Sequence, residues 1–595
     1  MNTQELITAH LDLWTGAVTH KSTAGRGRNG KIELTGIKKL RELVLELAVR
    51  GKLVDQDPSE EPASVLLERI AEERARLVKE GKIKKPKKLP EIAEEDKPFE
   101  LPDGWEWARM EAISEYIQRG KGPKYANSGK VRIVSQKCVQ WSSFDLNASR
   151  FVDDSSLSSY QDERYIRNND ILWNSTGTGT VGRVIIVENP RYPMVADSHV
   201  TIIRLLATEP SHILNYISSP SVQQRIEPDH ENSLVSGTTK QVELNSGSVK
   251  LLAVPLPPLE EQQRIVEKVD ELMALCDRLE QKAGDQLEAH EVLVDTLLDA
   301  LTRSADAEEL SRSWARVAEH FDTLFTTEAS IDKLKQTILQ LAVMGRLVEQ
   351  DPNDESASVL LEKIAEEKSR LVNEGKIKKE KKRLEINQAD AGFDIPKNWA
   401  WVNLGELGVF VNGDRSKNYP NREDYVASGI AWINTGHIRP DGTLTRKGMH
   451  FITREKFDSL RGGKIEPTDL VYCLRGATFG KTAFVTPYEE GAIASSLMII
   501  RPLLPIMRKY IYSYLVSPLG RSQIFRFDNG SAQPNLSANS VMMYLVPLPP
   551  ANEQRRIVEK VDELMVLCNE LKARLAKAGE TRTHLAEAMV DQAVN

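Results

Sequence analysis

Residues 37–88 read IKKLRELVLELAVRGKLVDQDP…GKIKKPKK, and residues 331–382 read IDKLKQTILQLAVMGRLVEQDP…GKIKKEKK. At this offset of 294 residues, 35 of 52 positions are identical. The likeness continues more weakly from Pro102 and Trp105-x-Trp107 to Pro396 and Trp399-x-Trp401. A second block, VPLPPLEEQQRIVEKVDELMALC at 254–276, returns as VPLPPANEQRRIVEKVDELMVLC at 546–568, with 19 of 23 positions identical. A long-period repeat decides architecture before any local pattern does. Between the repeated blocks lie two segments of nearly equal length, about 108–254 and 402–546. They share only sparse matches: Asp170-Ile171-Leu172 with Asp469-Leu470-Val471, Gly182-Arg183 with Gly480-Lys481, and Ile202-Ile203-Arg204 with Ile499-Ile500-Arg501. One fold is therefore expected twice, with different surfaces, in one duplicated frame. Reading two unlike halves of one linear target needs that arrangement. A single catalytic centre does not.

The chain has 595 residues, enough for roughly three or four domains. Its composition, 28% charged and 40% hydrophobic, is that of an ordinary soluble protein. No run approaches the ~18 apolar residues of a membrane span, and the opening MNTQELITAHLDLWTG lacks an export pattern. Cys138, Cys276, Cys473 and Cys568 stand far apart and form no CxxC, against zinc or a disulfide framework. The expected location is cytoplasmic, with no membrane partner. A net charge of −7 is unusual for a nucleic-acid binder, but it is unevenly spread. Residues 260–303 carry 12 acids against 5 bases, while 402–546 carry 17 bases against 12 acids.

After each VPLPP the apolar spacing turns helical. Ile265, Val269, Leu272, Cys276 and Leu279 step by 4, 3, 4, 3, and Ile557, Val561, Leu564, Cys568, Leu571 and Leu575 repeat the pattern. This is a coiled-coil seam, interrupted at Gln286, His290 and Ala578. The shared start and phase predict that the two long helices pair with each other. Leu40, Leu43, Val44 and Leu47, and the copy at Leu334, Ile338 and Leu341, make further amphipathic helices, each ended by a glycine and an Asp-Pro. The lysine clusters at 82–88 and 376–382 read as exposed linkers. Both unlike segments carry short β-branched and aromatic runs between turns, at 130–135, 181–187 and 200–205, then 430–434, 482–486 and 497–502. The fold class is α+β.

Catalytic signatures fail on spacing. Gly476 to Gly480-Lys481-Thr482 has three residues between its glycines where a phosphate-cradling loop needs four. The first copy, Gly177 to Gly182-Arg183-Val184, has the spacing but neither the lysine nor the hydroxyl. Both precede predicted strands and are expected to be tight β-turns. No Asn/Asp-Pro-Pro-Tyr/Phe motif, dinucleotide fingerprint or H-E-x-x-H is present.

Base readout needs donors and acceptors held on loops or helices in a groove. In the first segment the candidates are Arg119, Lys121, Lys124, Tyr125, Gln136, Lys137, Asn174, Ser175, Thr176, Thr178, Arg183, Lys240 and Gln241. In the second they are Arg415, Ser416, Lys417, Tyr419, Asn434, His437, Arg439, Arg475, Thr478, Lys481, Gln533 and Asn535. Arg and Lys can address guanine edges, Asn and Gln adenine edges, and Tyr can pack on sugars or thymine methyls.

The VPLPPxxEQxRIVEKVDELM blocks, the LAVxGxLVxQDP blocks and the P-x-x-W-x-W entries resemble those of type I restriction–modification specificity subunits. The resemblance covers nearly the whole chain, with both duplicated blocks in the family's order. It implies a non-catalytic subunit with two α+β target-recognition domains separated by long antiparallel coiled-coil helices, in a pseudo-twofold arrangement. Each domain would read one half of a bipartite site on double-stranded DNA. Two methyltransferase subunits and further restriction motor subunits would be the partners, and AdoMet, ATP and Mg would be bound by them and not by this chain. The implied division is a leader at 1–36, a distal helical region at 37–107, target domains at 108–254 and 402–546, a central region at 255–401, and a C-terminal spacer helix at 547–595. The leader, which contains Gly25-Arg26-Gly27-Arg28, is additional to the family pattern and is expected to be a flexible arm. The seam from Ile265 to Leu301 would span ~55 Å at ~1.5 Å per residue, enough for half-sites ~34 Å or more apart. A stand-alone regulator of a bipartite operator is the alternative, which the paired frame blocks disfavour.

Overall fold

The computed structural model describes residues 9–21, 31–85, 88–122, 124–177, 179–238, 241–377, 392–476, 478–527 and 536–594. The chain forms two compact units. One comprises residues 1–286 with 578–595, and the other residues 287–577.

In the first unit the repeat helix Thr35–Val49 buries Leu40, Leu43, Val44 and Leu47. Their spacing places one apolar stripe along the helix. The stripe shares its core with Ile265, Val269, Leu272 and Cys276, at the start of the long helix Leu259–Arg303, and with Ala586 and Val594, at the end of the long helix Ala551–Val594. Arg41 ties the repeat helix to Asp277 at 2.6 Å and to Glu280 at 2.8 Å. In the second unit the repeat helix Glu328–Val343 buries Leu334, Ile338 and Leu341 with Ile557, Val561 and Cys568 of the C-terminal helix and Val294, Leu298 and Leu301 of the first long helix. Lys572 meets Asp332 at 2.7 Å, and Lys333 meets Asp295 at 2.9 Å.

This modifies the expected seam. In each unit the start of one long helix meets the end of the other, so they run antiparallel, but a repeat helix completes the apolar stripe as a third member. The reason lies in stripe width: the repeat helices' leucines are too numerous to be left in water.

The repeated motifs outside the helices form one junction, built twice. Gly51 has φ +66° and Gly345 φ +72°, a region that favours glycine. A Cβ on Gly51 would stand 2.4 Å from Pro102, and one on Gly345 would stand 2.5 Å from Pro396. The Trp105 indole donates to Glu261 at 3.0 Å, and the Gln56 amide donates to the same carboxylate at 2.8 Å. In the second copy Trp399 donates to Glu553 at 2.9 Å and Gln350 donates at 2.5 Å. Both carboxyls are buried, and burial pushes them above the ordinary glutamate range despite these donors. Because two donors face it, the site needs an acceptor-only group. Glu261→Gln turns one acceptor into a donor, and we expect a loss of about 1–3 kcal/mol in denaturant unfolding. An unchanged unfolding curve would exclude the lock.

Each unit carries one α+β domain of the same topology. The strand Glu106–Arg109 pairs with Ala253–Leu256, and Ala400–Asn403 pairs with Leu545–Leu548, so the W-x-W and VPLPP segments close the domains at their necks. The larger sheet of the first domain is antiparallel, in the order Ser114–Arg119, Val200–Leu205, Asp170–Asn174, Val184–Val187. That of the second runs Gly408–Asn412, Leu497–Pro502, Leu470–Cys473, Thr482–Phe484. The smaller sheets also match: Met194–Ala196, Arg132–Val134, Arg150–Val152, Tyr125–Ala126 against Gly491–Ile493, Ile430–Ile433, His450–Ile452, Tyr425–Val426. Two of the three sparse sequence matches, at 170–172 with 469–471 and at 202–204 with 499–501, fall in or at the edge of the larger sheets' strands, and the third, at 182–183 with 480–481, falls in their turns. Arg204 forks onto Asp170 at 2.7 and 2.8 Å, and Arg501 onto Asp469 at 2.7 and 2.8 Å.

The leader is not the flexible arm expected where it is described. Helix Leu11–Gly16 places Trp14, fully buried, in the first unit's helical core, and a Cβ on Gly36 would stand 2.3 Å from the Trp14 carbonyl oxygen. Burial of so large an apolar ring holds this part of the leader on the core. Gly25 to Arg28 and parts of both lysine clusters lie outside the described residues. Among the described residues no helix is long and apolar enough to cross a membrane.

Candidate nucleic-acid interface

Strand register gathers the candidate loops at one end of each larger sheet. In the first domain Arg119 pairs with Thr201, Asn174 with Val200, and Trp173 with Val184. The loop that begins at Arg119, the turn after Asn174 and the segment 197–199 therefore leave the sheet together. Gly120 is required here: a Cβ would meet the Asp197 carbonyl oxygen at 2.1 Å. In the second domain Asn412 pairs with Met498, Cys473 with Leu497, and Tyr472 with Thr482. Gly413 repeats the close approach, with its Cβ position 2.3 Å from the Ala494 carbonyl oxygen. The Leu244 amide donates to Ser175 at 2.8 Å, so the hairpin that contains Gln241 reaches the same end.

The glycine-rich segments are turns, as their spacing implied. Residues 177–182 join two antiparallel strands, with Gly177, Gly179 and Gly182 at positive φ, and Gly476 and Gly480 flank the equivalent turn in the second domain. Neither opens a helix, the geometry a phosphate-cradling loop requires.

The candidates separate by burial. Lys121, Lys124, Tyr125 and Lys137 are exposed in the first domain, and Arg415, Lys417, Arg439 and Arg475 in the second. Lys121 lies 5.6 Å from the centre of the Tyr160 ring, and Tyr125 donates to Asp197 at 3.4 Å. Arg439 lies 3.6 Å from Asp441. Thr176, Ser416, Thr478 and Lys481 are half-buried. Thr176 lies 2.6 Å from His199, and the Ser416 hydroxyl accepts the Asn418 amide at 3.2 Å. Thr478 packs its hydroxyl on Cys473, and its carbonyl accepts the Lys481 amide at 3.2 Å.

Several candidates spend their side chains on the fold. Asn174 and Ser175 are fully buried. The Asn174 amide donates to the carbonyls of Gln136 at 3.1 Å and Val139 at 3.4 Å, and the Ser175 hydroxyl pairs with Thr201 at 2.6 Å. The Gln136 side chain accepts from Thr180 at 3.2 Å. Arg119 is held by Glu243 and the Ser198 carbonyl, and Arg183 by Gln140 and the Gly179 carbonyl. Tyr419 packs edge-on against Trp432 at 5.3 Å. His437 is buried, accepts the Asn434 amide at 3.1 Å, and has its pKa lowered by burial and by His450. Asn434 caps its own turn by accepting from Gly436. Polar residues just past a strand end either reach out or tie the turn, and composition does not separate these roles. Thr178, Lys240, Gln533, Asn535 and the Gln241 side chain lie outside the described residues.

Three residues at this end were not singled out from the sequence. Asp197 is buried and accepts the His199 amide at 2.8 Å; burial pushes its carboxyl up against that bond. His199 and Trp141 are exposed. The signal for Trp141 was a tryptophan flanked by Gln140, Ser142 and Ser143, with no apolar alternation to bury it. Asp414 is the second domain's counterpart in restraint. Burial would raise its carboxyl, but donors from Ser416 and from the Arg461 and Gly462 amides overturn this and leave it below the ordinary range.

Two domains of one topology, with like sheet ends and unlike side chains, invite comparison with known proteins. The family described as the type I restriction modification DNA specificity domain matches residues 102–289 and again 396–578. The chain belongs to the type I restriction–modification specificity family. The specificity subunit of the type I restriction enzyme EcoAI from Escherichia coli is 39% identical over the full length of both chains. The EcoEI specificity subunit from the same organism is 36% identical, again over both full lengths. A solved structure from work on complex assembly and conformational transition of the type I R-M system shares the fold, with a TM-score of 0.50 and 18% identity, covering 84% of this chain and 99% of that one. Both family matches begin at the proline of a P-x-x-W entry and run into a long helix, so the family unit is a domain together with part of its frame.

Proposed function

We propose that this chain is the non-catalytic, DNA-reading subunit of a type I restriction–modification complex, with 108–254 and 402–546 as its target-recognition domains. Each domain reads one half of a bipartite duplex site through the loops at the end of its larger sheet. Two methyltransferase subunits dock on the two repeated frame blocks, and restriction motor subunits join them. AdoMet, ATP and Mg are expected on those partners, in the cytoplasm. The long antiparallel helices set the gap between half-sites. The observation that carries this reading is the pair of sheet ends with one register and different exposed side chains. Co-expression with the methyltransferase subunit should yield a stable complex that methylates adenine in a specific sequence. A chain that binds a bipartite operator alone and ignores that subunit would favour a regulator instead.

Exposed cations at the reading end should act on phosphates or base edges. For Arg415 and Lys417, whose loop is pinned at Gly413 and Asp414, phosphate contact is the expected role. Each alanine variant should weaken binding across all sequences and flatten the slope of log K against log salt by about 1. Loss of discrimination at a single base pair with an unchanged slope would reassign that residue to base readout.

A further inference from the structure

Trp141 is 55% exposed, yet it stands on a short hairpin braced from three directions. Val139 bridges Phe144 at its base, and the Gln140 amide donates to Ser143 at 3.2 Å. The Gln140 side chain donates to the Lys137 carbonyl at 2.7 Å and accepts from Arg183. Asn174, at the end of its strand, donates to the carbonyls of Gln136 and Val139. The hairpin is thus bolted to the same sheet end as the reading loops, and its tip offers a large apolar ring to solvent.

The second domain closes the equivalent hairpin differently. Ile438 bridges Leu444, and the Arg439 amide donates to Thr443 at 2.9 Å. One side of its tip is packed: the Gly442 carbonyl accepts the Phe484 amide at 2.9 Å, and a Cβ on Gly442 would stand 2.0 Å from the Tyr512 hydroxyl. This tip is one residue longer: Arg439 lies where the first domain has Gln140, and Pro440 and Asp441 lie where it has Trp141.

We propose that Trp141 is a stacking contact, laid by the first domain against bases or sugars at its half-site, while the second domain's equivalent tip carries no aromatic ring. This inference rests on the DNA-reading function proposed above. A pre-organised aromatic anchor loses little freedom on binding, and aromatic wedges are a recurring way to grip duplex DNA. The neighbours fit that occupant: Lys137 is exposed beside the hairpin, and the Arg183 guanidinium is fixed at its flank. Stacking releases no counterions, so its contribution is insensitive to salt.

The test uses the complex assembled with its methyltransferase subunits, on a duplex bearing the sequence its methylation defines. Trp141→Ala should weaken binding about ten- to a hundred-fold, with an unchanged salt slope and an unchanged melting temperature. Trp141→Phe should recover most of the affinity. Alanine and phenylalanine variants that both bind within twofold of the wild type would overturn the proposal. So would weakened partner assembly with unchanged DNA affinity per assembled complex. A wild-type complex without sequence-selective binding would sink the DNA-reading function itself, which separates the two failures.

Discussion

Replacing Asp170 with alanine is expected to destabilise the first unit by about 3–5 kcal/mol, the usual cost of stranding one half of a buried ion pair. Asp170 is fully buried, and Arg204 is 6% exposed. Arg204 spends both arms of its guanidinium on Asp170 and also donates to the Tyr165 carbonyl at 2.9 Å. Burial raises the Asp170 carboxyl against the lowering effect of Arg204. The desolvation of this carboxylate is therefore not fully offset by its partner, so the intact pair adds little net stability. Its removal by halves is another matter, because the buried guanidinium would be left with the longer contact to Glu115, at 3.8 Å, as its ion pair. The sign with pH follows from the raised carboxyl. Asp170's contribution is largest below the unfolded aspartate pKa of ~3.9 and falls as pH rises through the higher folded value. The double variant Asp170→Leu with Arg204→Met should recover most of the loss. Calorimetry would check both, and a double variant no more stable than the single one would refute the account. A smaller loss is expected of Asp469→Ala, because the half-buried Arg501 keeps Glu466 as a second partner.

The second large effect concerns recognition. Exchange of residues 108–254 for the matching segment of another family member should replace one half-site and leave the other intact. The graft boundaries face each other within the paired strands, between the Val254–Ala108 and Pro255–Trp107 pairs, so the outer half of the neck and the Trp105–Glu261 lock remain in place. Specific binding exceeds non-specific binding by about 10³–10⁷. Methylation at the original site should therefore fall by at least about a thousandfold, while sites with the new first half gain it. A change in both halves would show that the two domains do not read independently.

The frame was legible because its constraints are local and occur twice. Gly51, Gln56, Pro102, Trp105 and Glu261 touch one another, so any drift in one strands the rest, and the second copy retains them all. The strand at Val200–Leu205 and its partner at Leu497–Pro502 were legible as β-branched runs because both lie in sheet interiors. The helical seam was read as a pair because heptad spacing marks an apolar stripe and not the number of helices that cover it. The loops at one end of each larger sheet were legible as a group, but which of their side chains are exposed was not. Asn174 and His437 have base-reading side chains and spend them on carbonyls and amides of their own turns. Trp14 was lost in a leader with no repeat to flag it, though its indole fills the helical core.

On the proposed function, one duplicated frame holds two independent readers on a single duplex. The most direct test is methylome sequencing of a host that expresses this chain with its methyltransferase partner. Methylated adenines are expected in a motif of two short specified halves separated by a fixed unspecified gap, with their centres about one helical turn or more apart. A single uninterrupted motif, or no modification from a complex shown to be assembled, would contradict it.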